Sequence, residues 1–385
     1  MSEEVYLVSA ARTPVGSFQG QLSSLTAPQL GAHAIRAALT QSGIADEEIS
    51  EVIFGNVVSA GLKQAPARQA MREAKLPDTV GATTVNKVCG SGMKAAMLAT
   101  DLIRAGSAVT VIAGGMESMS CAPYVLPKAR AGLRMGHTSM LDTLFLDGLE
   151  DAETGASMGS FAQATADEFQ LTRQAMDAFA TESVLRARKA IELGSLASEI
   201  APIEVSGQLV SNDEQPGRAK LEKISKLRPA FKQDGTITAA NSSSISDGAS
   251  ALILTGESAL ATEPLARIVG HTTHSIHPSQ FTIAPVGAIQ NLVDKIGWDI
   301  ADVDLFEINE AFAMVTMLAI QELKLDPQRV NIYGGACAQG HPIGSTGSRL
   351  IVTLAHALKN LNKKRGIAAL CIGGGEATAV ALERS

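Results

Sequence analysis

The sequence predicts an α/β fold, and three observations carry the prediction. Glycine is abundant, with 35 residues, while aromatic residues make up only 4%. That balance suits tight strand-to-helix turns and close helix contacts better than a β-sandwich. Two distant stretches, around residues 84–118 and 332–378, follow one script of glycine turn, helix, strand and Gly-Gly-x-Glu. In both, the apolar strand is expected to end where the chain turns into glycines, so the motifs project from strand ends and helix starts, where α/β sheets place ligands.

Taken in order, Val5–Ala10 reads as a strand, and Glu51–Val58 as a second. Cys89-Gly90-Ser91-Gly92 then opens an amphipathic run with Met93, Ala96, Met97, Thr100 and Ile103 at helical spacing, which Gly106 ends. A buried-type strand, Val109–Ala113, leads into Gly114-Gly115-Met116-Glu117-Ser118. In the second copy Gly340-His341-Pro342-Ile343-Gly344-Ser345 opens a helix to about Leu358. Ile367–Cys371 then runs into Gly373-Gly374-Gly375-Glu376-Ala377. By strand character, Ala266–His271 matches Val5–Ala10 and Val303–Ile308 matches Glu51–Val58. The expected organisation is an N-terminal half (1–118), an insertion of irregular and charged sequence (119–243), a return to the first half (244–263) and a C-terminal half (264–385). Cys121–Leu146 reads as irregular, and Thr165–Leu193 as helical.

At 385 residues, 45% hydrophobic and 18% charged, the chain can bury one large core or two joined ones. No run approaches the ~18 apolar residues of a membrane span, and Met1 leads into a strand without a secretory or transit pattern. A soluble, cytoplasmic protein is expected. The four cysteines, Cys89, Cys121, Cys337 and Cys371, form no Cys-x-x-Cys pair and fit free thiols in a reducing compartment. A net charge of -7 argues against nucleic-acid binding. Six cations between Arg218 and Lys232 form a local basic segment that could face an anionic cofactor or simply solvent.

Cys89 stands just before a helix, where unpaired N–H groups and the helix dipole favour a thiolate. A buried structural thiol is the plain alternative, but Gly90 and Gly92 suit a backbone that a substrate approaches. His341, flanked by glycine at a helix start, is a candidate catalytic imidazole. Cys371 at a strand end and Asn309 before a helix are ambiguous alone, since Asn309 could serve only as a cap. His271, His274 and His277 are discounted as a metal site, because strand side chains alternate faces.

With these motifs in order the sequence resembles the thiolases over essentially its whole length. The match runs through Ala10-Ala11-Arg12-Thr13-Pro14, Asn86–Lys94 around Cys89, Gly114–Met119 and Lys226–Phe231. It continues through Asn309-Glu310-Ala311-Phe312-Ala313, His341-Pro342-Ile343-Gly344 and Cys371-Ile372-Gly373-Gly374-Gly375. The resemblance implies a duplicated five-layer αβαβα fold with an inserted loop domain. It also implies a ping-pong acyltransferase: Cys89 takes an acyl group from acyl-CoA, and Cys371 removes the α-proton of acetyl-CoA for a Claisen condensation. His341 and a water on Asn309 would hold one oxyanion, and the N–H groups of Cys89 and Gly373 the other. Ketoacyl synthases carry a second histidine where Cys371 stands.

Coenzyme A and acyl-CoA are implied as substrates, with no resident cofactor or metal. Contacts map to Leu149, Met158, Arg218, Phe231, Ala239 and Ser243, with Phe281, Ala311 and Phe312 near the acyl group. Three positions depart from common patterns: Ser157 where many relatives have histidine, Pro216 where some have arginine, and Phe281-Thr282-Ile283-Ala284 where many have Met-Gly-x-Gly. The ending Gly373–Thr378 and the Cys121–Asp151 stretch are more similar to the acetyl-CoA acetyltransferase branch, which makes acetoacetyl-CoA from two acetyl-CoA. A degradative 3-ketoacyl-CoA thiolase of broader chain length is the alternative, and a non-catalytic acyl-CoA-binding scaffold the remote one. Residues Ser120–Met140 match a tetramerisation loop, so a homotetramer built as a dimer of dimers is expected.

Overall fold

Strands Val5–Arg12 (β1), Thr110–Ser118 and Ser246–Gly256 carry no polar face and are buried at nearly every position. Such strands need helices on both sides. In the computed structural model, which describes residues 3–384, one ten-stranded sheet supplies that arrangement. After β1 come β2 (Glu51–Gly55), β3 (Gly81–Val85), β4 (Thr110–Ser118) and β5 (Ser246–Gly256). The second half adds β6 (Ala266–Ser275), β7 (Leu305–Ile308), β8 (Arg365–Ile372) and β9 (Glu376–Glu383). The order across the sheet is β7-β8-β9-β6-β1-β5-β4-β2-β3, and the tenth strand, the two residues Gly16–Ser17, pairs with the start of β5. Each half therefore repeats the other outward from a central seam, where β1 and β6 pair through only Tyr6↔Arg267 and Leu7↔Ala266. The counterpart of β3 is reduced to an isolated bridge, Phe306↔Val330.

Helices α1 (Ala27–Ser42) and α2 (Pro66–Glu73) cover the outer face of the first half. Between the half-sheets lies α3 (Ser91–Arg104); α4 (Met158–Glu168) and α5 (Arg173–Glu192) belong to the insertion. On the outer face of the second half lie α6 (Ala284–Ile296) and α7 (Ala313–Glu322), and α8 (Ile343–Asn360) joins α3 in the middle. The layers are thus α, β, α, β, α. Burial of α8 on all sides from Ile343 to Leu358 follows from that middle position. Its Leu350, Ile351 and Leu354 meet Met93, Met97 and Ile103 of α3 and Leu252, Leu370 and Val380 of both half-sheets.

The two central helices cross on small residues. A Cβ on Gly347 would lie 2.4 Å from the Met93 nitrogen, and one on Gly92 2.5 Å from Ser348 Oγ. One expectation is corrected here. Strand β4 does not end at Gly114-Gly115 but continues through them to Ser118. Gly115 is needed inside the strand because its Cβ would fall 1.9 Å from the Gly344 carbonyl at the start of α8. The helical stretch expected at Thr165–Leu193 is two helices, with Thr172 capping α5 through the Ala175 N–H at 3.2 Å.

The insertion is fastened to the sheet by a buried arginine. Arg12, at the end of β1, pairs with Glu199 at 2.6 Å and Asp213 at 2.7 Å, all three shielded from water. Losing one partner of such a set leaves an uncompensated charge, which costs about 3–5 kcal/mol. Among the described residues no helix is long and apolar enough to cross a membrane.

Candidate active site

Four segments converge at one end of the central helices. The first is the turn Lys87-Val88-Cys89-Gly90 before α3, where Gly90 N–H donates to the Lys87 carbonyl and Ser91 N–H to Val88. Val88 adopts φ +47°, a left-handed conformation that a β-branched side chain rarely tolerates. Asn86 Oδ1 holds the Val88 N–H at 2.9 Å, and the buried Ser91 hydroxyl donates to the Val88 carbonyl at 2.7 Å. The strained residue aims the next one, Cys89, into the site. Nothing in the type of residue 88 signals this.

The second segment is the hairpin between β8 and β9. Cys371 is fully buried near the end of β8, and Gly374 and Gly375 turn the chain with φ of +89° and +87°. The N–H of Gly373 points at the Cys89 sulfur, as does the N–H of Cys89 itself. A Cβ on Gly373 would come 3.1 Å from Met158 Sδ and 3.8 Å from Val88 Cγ1. The turn is therefore pressed between the nucleophile loop and α4.

The third and fourth segments bring Asn309, just past β7, and His341, just before α8. Both are buried. His341 Nδ1 is 2.6 Å from Thr346 Oγ1, whose hydroxyl donates to the Pro342 carbonyl at 3.0 Å. That leaves Thr346 Oγ1 to accept, so we assign the proton of the neutral ring to Nδ1. Nε2 keeps its lone pair and lies 3.5 Å from Asn309 Nδ2. Burial, with the charge of Arg349 adding to it, lowers the His341 pKa to about 3, so the ring is uncharged at neutral pH.

Cys89 is corrected by the structure. The sequence placed it at a helix start that would hold a thiolate, but burial pushes its thiol up to about 11 despite the Gly373 and Cys89 N–H groups. The N–H groups of Gly90 and Ser91 are engaged in the turn itself and do not reach the sulfur. Burial also pushes Cys371 well above the usual thiol value, and the nearby Cys89 adds to it. The resting site is a set of uncharged groups: two thiols and an imidazole.

An apolar wall surrounds them. Phe281, Ala311, Phe312 and Cys371 share one buried cluster, with Met158 packed against it. Phe312 stacks edge-on against Phe231 at 6.1 Å and Phe281 at 6.5 Å. Ser243 donates its N–H to the Ala311 carbonyl at 2.9 Å, placing it beside the same wall. Leu149 ends the helical turn Phe145–Leu149, and Ala239 is exposed. Arg218 lies on the short helix Glu214–Arg218, ion-paired with Glu214 at 2.8 Å, and Lys232 pairs with Asp167 at 2.7 Å. These two members of the basic segment thus already carry carboxylate partners. Ser157 has a local task, capping α4 through the Ser160 N–H at 3.2 Å.

Sequence reading missed Glu117. Its buried carboxylate accepts from Asn56 Nδ2 at 2.7 Å, from the N–H groups of Val57 and Val58 at 3.0 and 3.2 Å, and from that of Gly344 at 2.9 Å. It joins the loop after β2 to the start of α8, next to His341. The Gly-Gly-Met-Glu-Ser segment, whose last strand positions pack against α8, was the available signal. The histidines discounted as metal ligands lie apart in function: His271 meets Asp101 at 3.0 Å, while His277 caps the turn at Pro278.

Comparison with known proteins agrees with this architecture. Residues 5–258 match the thiolase N-terminal domain and residues 262–384 the thiolase C-terminal domain. The chain is 46% identical to an acetyl-CoA acetyltransferase of Pseudomonas aeruginosa over 99% of its length and 100% of the relative's. It is also 46% identical to an acetyl-CoA acetyltransferase of Saccharomyces cerevisiae, with both chains covered in full. Among solved structures, the Acat5 thiolase from Ascaris suum in complex with coenzyme A superposes with a TM-score of 0.96 at 40% identity, covering 100% of each chain. Fold, duplicated halves and full-length matches lead to one conclusion: the chain belongs to the thiolase family.

Proposed function

We propose that this chain is an acetyl-CoA C-acetyltransferase, which joins two acetyl-CoA into acetoacetyl-CoA and CoA and runs equally in reverse. The observation that carries the reading is that the Gly373 N–H points at the Cys89 sulfur, with Cys371 close enough to be influenced by that thiol, while an uncharged His341 stands at the start of α8, whose Ile343 packs against Cys89. The full-length relatives bearing that enzyme name support the choice of reaction.

In the first half-reaction the Cys89 thiol gives its proton to His341 Nε2 as the sulfur attacks the thioester carbonyl. The N–H groups of Cys89 and Gly373 lie where the carbonyl oxygen gains charge, and each such donor is worth about 3–4 kcal/mol in the transition state. The carbon–sulfur bond to CoA breaks, His341 returns its proton to the departing thiolate, and acetyl-Cys89 remains. In the second, Cys371 accepts the α-proton of a second acetyl-CoA, and the enolate carbon attacks acetyl-Cys89. Cys371 serves this step as a thiolate, formed when His341, neutral again after acylation, takes its proton; as the enolate carbon displaces Cys89 from the acetyl group, the carbon–sulfur bond breaks and His341 passes that proton to the Cys89 thiolate. Asn309 Oδ1 is buried with no hydrogen-bond partner among the described residues, which suits a water shared with His341 over the enolate oxygen.

The interlocked Phe281, Phe312 and Phe231 rings favour a short acyl group over the longer chains of a degradative 3-ketoacyl-CoA thiolase. We further propose that coenzyme A enters as substrate only, with Leu149, Met158, Phe231, Ala239, Ser243 and Arg218 along its path. A reducing compartment such as the cytoplasm suits the four free thiols. A panel of 3-ketoacyl-CoA substrates of increasing length, assayed in thiolysis, tests the reading. Acetoacetyl-CoA should be the best substrate, and preference for chains of about eight carbons or more would overturn it.

A further inference from the structure

The loop after β2 stands between the starts of the two central helices. Gly55 presses on α3, since a Cβ there would lie 2.6 Å from Ser91 Cβ and 2.7 Å from the Gly92 nitrogen. Asn56 donates its N–H to the Val85 carbonyl at the end of β3, just before the nucleophile turn, at 3.1 Å. Val57 and Val58 share one buried cluster with Ile343 of α8, and Cys89 packs against it. The loop thus touches the nucleophile on one side and the helix that follows His341 on the other.

Glu117, fully buried near the end of β4, joins the two sides. Its oxygens divide the contacts. Oε2 accepts from the N–H groups of Gly344 at 2.9 Å and Val57 at 3.0 Å, while Oε1 accepts from Asn56 Nδ2 at 2.7 Å and the Val58 N–H at 3.2 Å. Oε2 alone therefore bridges α8 to the loop. Gly344 shares the first turn of α8 with Thr346, whose hydroxyl holds His341 Nδ1 at 2.6 Å. The approach is close, for a Cβ on Gly344 would fall 2.7 Å from Glu117 Oε2. We propose that Glu117 is a positioning residue whose Oε2 sets the spacing between His341 and Cys89, so that Nε2 meets the thiol proton. The role demands reach rather than charge. One oxygen with two lone pairs can accept both bridging N–H groups in an amide as in a carboxylate. Asn56 Oδ1 has no partner among the described residues, so its side chain can turn to meet an amide NH2 at residue 117.

This inference rests on the reading of His341 as the base for Cys89. Glu117→Asp keeps the charge and shortens the reach by a methylene, whereas Glu117→Gln keeps the reach and loses the charge. Single-turnover acetylation of Cys89, followed by intact mass, gives a rate constant, an amplitude and the acetyl-CoA concentration for half-maximal rate. Glu117→Asp should lower the rate constant about 100-fold, the scale of a 1 Å misplacement, with full amplitude and a half-maximal concentration within about threefold of the unaltered protein. Glu117→Gln should stay within about fivefold in rate constant, because its oxygen still spans Gly344 and Val57. A role in folding alone would reduce the amplitude and spare the rate constant. That result in Glu117→Asp, or a Glu117→Gln as slow as Glu117→Asp, overturns the proposal.

If Glu117→Asp does not fold, Gly344→Ala decides. Its methyl pushes the start of α8 away from an intact Glu117, so the rate constant should again fall about 100-fold, and a value within about fivefold of the unaltered protein overturns the proposal. His341→Ala in the same assay tests the base assignment separately, since normal acetylation there would remove that reading whatever Glu117 does.

Discussion

The Lys87 ammonium and the Glu376 carboxylate meet at 2.5 Å, spanning the gap between the two halves of the molecule. Lys87 precedes Cys89 by two residues, and Glu376 follows Gly373 by three. The pair therefore holds the nucleophile loop against the turn whose N–H points at its sulfur. Glu376→Gln should slow acetylation of Cys89 by about tenfold through this loss of alignment. Both side chains are partly accessible, so the change in unfolding free energy should stay within about 1 kcal/mol. Single-turnover acetylation and urea unfolding, measured together, check both halves of the prediction.

Cys371→Ala should separate the two half-reactions. Acetyl-Cys89 should still form, while acetoacetyl-CoA synthesis falls by roughly 10²–10⁴-fold, the usual worth of a general base. Cys89→Ala should abolish acylation altogether. Condensation at the normal rate in Cys371→Ala would require another base, and His341 is the remaining candidate.

Phe281 is almost completely buried and packs edge-on against Phe312 at 6.5 Å. Its replacement by leucine should deepen the acyl pocket with little loss of fold, whereas alanine should destabilise the chain by about 3–5 kcal/mol. In Phe281→Leu the ratio of thiolysis rates for 3-ketohexanoyl-CoA over acetoacetyl-CoA should rise about tenfold, the scale of one or two methylenes. An unmoved ratio would remove Phe281 from the pocket wall.

Glu117 makes stability depend on pH. Burial raises its pKa from 4.5 to about 7, against the opposing N–H groups of Val57, Val58 and Gly344. A carboxyl raised in this way contributes fully below pH 4.5, and its contribution is lost as the pH climbs to about 7. The loss amounts to about 3 kcal/mol. Urea midpoints at pH 5 and 7.5 should show the fall, and Glu117→Gln should be less stable at pH 5 but much flatter between the two.

The stretch Ser120–Met140 concentrates exposed apolar side chains: Tyr124 is 62% accessible, Met135 99% and Met140 69%. A surface of that kind on one loop suits contact with another copy. Light scattering at micromolar concentration should show tetramers, and deletion of the loop should leave dimers. A single monomeric species of the unaltered protein would sink the proposal.

Much of the fold was legible because glycine punctuates it. The repeat from Cys89 to Ser118 and from Gly340 to Ala377 stood out by its turns, as did Cys89, His341 and Cys371 at the turn ends. What stayed hidden depends on partners far away in the chain. Gly114 and Gly115 read as a turn, yet they lie within β4, Gly114 pressed by the Ser250 carbonyl of β5 and the Phe54 ring, and Gly115 by the start of α8 more than two hundred residues later. Arg12 reveals nothing of Asp213, nor Glu307 of Arg349. The ionisation of Cys89 was misjudged because helix position is local, whereas desolvation depends on everything packed around the sulfur.

The seam strand β1 has a further consequence, in the time domain. Residues Val5–Arg12 find their ladder partners at Ser250–Gly256, on a strand made long after them. At ~5–20 residues per second, synthesis of the intervening chain takes roughly 10–50 s. For that interval a largely apolar strand has neither neighbour, since β6 is later still. The order in which this protein folds is therefore not the order in which it is made, and its first strand must be kept from aggregating until the first half closes around it.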